Sequence, residues 1–118
     1  MGWRDDVDRE MKGIVEALSA GNAGRARTCA RSAVGFALAE WEKRDARKAH
    51  GTDTMDRLRS FAESSDMPAE PRAAAQRLAD KLAPDFTSAS VHPLNDATII
   101  VQFVAAQMRE SYSSPSTL

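Results

Sequence analysis

The sequence predicts an all-α protein, a five-helix up-and-down bundle. Three observations carry that prediction. Apolar residues recur at intervals of three and four in five separate stretches. Glycines, prolines and cap-forming side chains separate those stretches. The one β-branched run, TIIVQFV, has no second candidate strand to pair with.

From Trp3, the apolar positions Val7, Met11, Ile14, Val15 and Leu18 paint one stripe of a first helix that ends at Gly21. Asn22 suits the N-cap of a second helix, which runs through Ala26, Cys29, Ala30, Ala33, Val34, Ala37, Leu38 and Trp41 into EKRDARKAH and is the longest. Its stripe is mostly alanine, so neighbouring axes can approach closely and a central position is expected. Gly35 serves the same purpose, at a cost of ~1 kcal/mol in helix propensity. Gly51 stops this segment, and Thr52 or Thr54 caps a short third helix marked by Met55, Leu58, Phe61 and Ala62.

SSDMPAEP interrupts the pattern. Pro68 and Pro71 fit the first turn of a fourth helix, where a missing N–H costs nothing. Ala74, Ala75, Leu78, Ala79 and Leu82 supply its buried face, and Pro84 ends it. PDFTSASVHPLND reads as a loop, with Asn95 or Asp96 capping a fifth helix through Ala97, Ile100, Val101, Val104, Ala105 and Met108. TIIVQFV belongs to this helix because the run continues through AAQMRE, beyond ordinary strand length. Residues 1–111 are expected to form one domain, with 112–118 a disordered tail.

Composition narrows the function classes. The 118 residues include 16 Lys and Arg against 17 Asp and Glu, which excludes the uniformly basic surface of a DNA-coating protein and leaves room for a local patch only. Cys29 is the single cysteine, so an internal disulfide and paired-cysteine metal sites are ruled out and a reducing compartment fits. The N-terminal stretch is charged, and no apolar run approaches the ~20 residues of a membrane span. A soluble, cytoplasmic protein without membrane contact, metal or cofactor is expected.

Candidate chemistry concentrates on the second helix. Arg25, Arg27 and Arg31, followed by Lys43, Arg44, Arg47, Lys48 and His50, form a basic series that a phosphate backbone would accept. Helical geometry puts Arg27 and Arg31 on one line and Arg25 well round the cylinder, while Glu40, Glu42 and Asp45 interrupt the distal cluster. A solvated face accounts for the same series, and Arg47 and Lys48 complement a helix C-terminus. His50 titrates near neutrality and is suited to moving protons in RNA cleavage, with Arg44 stabilising phosphorane charge; a histidine that merely caps the helix end is the plainer reading. His92 reads as a surface turn. GNAGRA lacks the strand, lysine and hydroxyl of a phosphate loop, and Ser32, Asp45 and His50 have no spacing that demands a triad. Trp3, Phe36 and Trp41 are core or interface anchors, and Phe36 sits at the edge of the inward stripe, where a second subunit could cover it.

ALSAGNAGRARTCARSAVGFALAEW resembles the first helical hairpin of HEPN domains. KAHGTDTMDRLRSF, RAAAQRLADKLAPDF and LNDATIIVQFVAAQM are similar to their third, fourth and closing helices. The resemblance covers roughly residues 3 to 110. It implies a five-helix bundle, a homodimer and an encoded nucleotidyltransferase partner of the toxin–antitoxin kind. Catalytic HEPN members are metal-independent ribonucleases that use an arginine, a polar residue and a histidine four to six positions beyond the arginine; Arg44, Asp45 and His50 match that spacing. Those members carry the motif later in the bundle, and the Glu-Lys pair often found on the second helix is replaced here by Gly35 and Phe36.

The expectation is therefore a non-catalytic HEPN-like binding module, homodimeric through Phe36 and Trp41. It would engage a protein partner, such as a nucleotidyltransferase, or an RNA or nucleotide ligand through Arg27, Arg31 and Arg44. The alternative is an RNA endonuclease toxin in which Arg44 and His50 are catalytic.

Overall fold

A computed structural model describes residues 2–45, 53–82 and 88–113. Five helices follow in order: α1 (Trp3–Ser19), α2 (Ala23–Arg44), α3 (Thr54–Glu63), α4 (Ala69–Ala79) and α5 (Pro93–Gln107). No strand occurs among the described residues, and TIIVQFV lies wholly inside α5. The radius of gyration is 13.3 Å, close to the ~13.5 Å expected of a folded chain this long.

The turn between α1 and α2 is built by two residues. Gly21 takes the left-handed conformation (φ 72°) that other residues adopt only at a cost. Its N–H donates to the Leu18 carbonyl and that of Asn22 to the Ala17 carbonyl, closing α1 in a Schellman motif. Asn22 then opens α2, its side-chain oxygen accepting from the Arg25 N–H at 3.0 Å. One asparagine therefore ends one helix and starts the next, which leaves no slack in the hairpin.

α2 packs against all four other helices, as its alanine stripe predicts. Ala26, Ala30, Ala33 and Ala37 are fully buried beside Val34 and Leu38. Two glycines set the closest approaches. A Cβ on Gly13 would lie 2.9 Å from Cys29 Sγ, and one on Gly35 would lie 2.7 Å from Thr54 Oγ1. Burial pushes the Cys29 thiol above its ordinary range, with Glu10 acting in the same direction, so the sulfur packs as a small hydrophobe. Gly13→Ala is expected to lower stability in the wild-type background but, added to Cys29→Ala, to raise it by about 0.5–1 kcal/mol through helix propensity. A denaturant-melt cycle checks this. The same effect in both backgrounds would deny the close α1–α2 contact.

Several boundaries differ from those expected. The α3 cap is Asp53, whose side chain accepts from the Asp56 N–H at 2.9 Å, and not a threonine; Gly51 and Thr52 lie outside the described residues. α4 stops at Ala79, before Pro84, so Leu82 falls beyond the helix and is exposed. α5 begins at Pro93, because a proline at the first helical position is pre-set for the helix, and this places Asp96 inside the first turn rather than at the cap.

The segment after α5 stays tied to the bundle through Tyr112. Arg109 adopts φ 60°, its N–H donates to the Ala106 carbonyl, and that of Glu110 donates to the Ala105 carbonyl. Glu110 then lies 2.9 Å from Arg4, whose guanidinium also donates to the Ser111 carbonyl at 2.7 Å. Tyr112, assigned by sequence to the tail, is only 8% exposed: its ring packs 6.4 Å from that of Trp3 and its hydroxyl donates to Asp8 at 2.8 Å. An aromatic ring with apolar surface to bury docks where a purely polar segment would not. Residues 114–118 lie outside the described residues.

Candidate anion-binding site

The basic face of α2 separates into arginines with quite different surroundings. Arg31 is half-buried and committed to the fold. Its Nε donates to the Leu78 carbonyl at 2.7 Å and its Nη2 to the Asp80 carbonyl at 3.3 Å, satisfying orphan carbonyls at the end of α4. Burial, then the like charges of Arg27 and Arg59, hold its guanidinium below the ordinary range. Arg44 is exposed and neutralised. It donates to Glu40 at 2.8 Å on its own helix and to Glu110 beyond α5, and its hydrogen bond holds Glu110 below the usual carboxylate range.

Arg27, one turn before Arg31, has no such anchor among the described residues. The side chain is half-buried, and its Nε–H is shielded from solvent without a hydrogen-bond partner among them. It lines a cavity of about 330 Å³ whose other described walls are Leu18, Ala23, Ser88, Ser90, Val91 and Pro93. Leu18 is 46% exposed and Val91 74%, so the apolar surface is left open to solvent. The serines are already occupied: Ser90 Oγ donates to Asp96 at 2.7 Å, and Ser88 Oγ accepts from the Ser90 N–H at 3.1 Å.

Behind this wall, Asp96 is 3% exposed and receives Arg77 from α4, with Nη2 at 2.6 Å and Nε at 3.1 Å from Oδ1. Sequence reading missed this carboxylate as a buried anchor. A signal existed: Asp96 falls on the helical line of Ile100 and Val104, where a solvated acid has no place.

A second concavity, about 520 Å³, lies between the start of α1 and the middle of α2, lined by Trp3, Asp6, Phe36, Glu40, Lys43 and Arg44 among others. Phe36 is half-buried there, with the Arg9 guanidinium 5.8 Å from its ring centre. Trp41, expected at an interface, is instead core. It is 5% exposed and meets the Phe103 ring edge-on at 6.1 Å, because its position on the apolar stripe turns it inward. The structure thus places Arg27 and Arg44 in different surroundings and removes Trp41 from the surface. His50 lies outside the described residues, so its pairing with Arg44 does too. His92 is exposed at the start of α5.

Tyr112 gives a pH dependence. Burial, then the Asp8 hydrogen bond, raises its phenol above the ordinary value of 10.0. The folded state binds that proton more tightly than the unfolded state, so the contribution is complete below about pH 10 and is lost as pH rises beyond it. Tyr112 is the single tyrosine, so tyrosinate absorbance reports it directly. Stability should decline above pH 10 in the wild type and decline less in Tyr112→Phe, which itself should cost about 1 kcal/mol at neutral pH. Parallel pH profiles would contradict that linkage.

The architecture and the cavity define a compact all-α five-helix protein, and no helix among the described residues is long and apolar enough to cross a membrane. No protein-family model, curated protein or solved structure matches the chain.

Proposed function

We propose that this chain is a non-catalytic binding module, an up-and-down bundle of the HEPN-like kind, that holds an anionic ligand at Arg27. The observation that carries the reading is Arg27 itself, which lines an open, largely apolar cavity and whose shielded Nε has no hydrogen-bond partner among the described residues. Buried polar groups are normally satisfied, and an arginine left incomplete beside empty space is suited to completion by a ligand. The endonuclease alternative, with Arg44 and His50, is less well supported because Arg44 already spends its charge on Glu40 and Glu110. Partner binding by a second copy or by a nucleotidyltransferase belongs to the concavity around Phe36, where aromatic surface is flanked by both signs of charge.

Anilinonaphthalene sulfonate, an amphiphilic anion that fluoresces in apolar surroundings, tests the reading. The wild type should enhance its fluorescence saturably, and Arg27→Gln should weaken binding several-fold. Equal binding by the variant, or RNA cleavage in EDTA that His50→Ala abolishes, would overturn the proposal.

A further inference from the structure

Resting on that reading, we infer that the cavity at Arg27 selects a small monocarboxylate with an aliphatic body, rather than a phosphate or nucleotide. The argument is one of charge. Arg27 is the one cationic side chain among the described residues of the lining, and a carboxylate's single charge and two coplanar oxygens match one guanidinium. A phosphate dianion would set two charges against that one guanidinium, and the Ser90 hydroxyl, turned to Asp96, does not donate to it. Asp96 also stands behind Ser90, and its charge, although paired with Arg77, disfavours a second negative charge nearby.

The other walls specify the body of the ligand. Among the described residues, Leu18, Ala23, Val91 and Pro93 offer aliphatic surface and no aromatic ring on which a base would stack. At about 330 Å³ the space lies at the small end of ligand pockets, which span ~300–1,000 Å³.

Titration calorimetry on the full chain with octanoate, 1-octanol and inorganic phosphate tests the inference, alongside displacement of the sulfonate dye. Octanoate should bind and displace the dye, octanol and phosphate should bind at least tenfold more weakly, and Arg27→Gln should weaken octanoate about tenfold or more. Val91→Asp, at an exposed position that leaves the core untouched, should also weaken octanoate. Phosphate binding more tightly than octanoate, or octanoate bound equally by wild type and Arg27→Gln, overturns the inference. If the dye binds through Arg27 while octanoate fails to displace it, the carboxylate inference falls and the anion-binding function stands. If neither dye nor octanoate binds, both fall.

Discussion

Trp41→Ala is expected to lower the unfolding free energy by about 3–5 kcal/mol, the range for truncating a large buried aromatic. Its indole is 5% exposed on the α2 stripe and meets Phe103 at an interplanar angle of 80°. Phe103 in turn packs edge-on against Phe61 at 6.0 Å, so three rings from α2, α5 and α3 interlock. Edge-to-face pairs add about 0.5–1.5 kcal/mol beyond area burial, and truncation forfeits one of them outright. Urea melts at two protein concentrations provide the check. The loss should be the same at both; a loss that shrinks with dilution would return Trp41 to an intersubunit role.

Arg77→Ala should cost about 2–3 kcal/mol, somewhat less than the ~3–5 of a fully buried pair because the arginine side chain is 39% exposed. The penalty arises on the other side of the contact. Asp96 would be left at 3% exposure with, among the described residues, the Ser90 hydroxyl as its remaining side-chain donor. One outcome marks this cause: the double variant Arg77→Ala/Asp96→Ala should lose less than the two single losses combined. Additive losses would show that the pair does not act as a unit.

These two positions mark what the sequence could and could not disclose. The helices, the Gly21–Asn22 turn and the alanine spine were legible because each depends on residues within a few positions of one another. Pairings such as Arg77 with Asp96, or Arg31 with the α4 carbonyls, join residues far apart in the chain, and periodicity carries no information about them. Asn95 or Asp96 is expected as the cap because such residues near a helix start ordinarily have that role, whereas Pro93 fixes the start earlier. Arg27 was legible as a basic residue, but the cavity it shares with Ser88, Ser90, Val91 and Pro93 joins residues far apart in the chain. Trp41 misled because indole serves cores and interfaces alike.

Arg4, Glu110, Ser111 and Tyr112 tie the opening of α1 to the stretch beyond α5. A circular permutant, rejoined across that tie by a short flexible linker and given fresh ends at the exposed Ser65–Asp66 corner, should therefore retain its shape. Cargo fused at those relocated ends would sit on the α3–α4 side, away from the stapled seam.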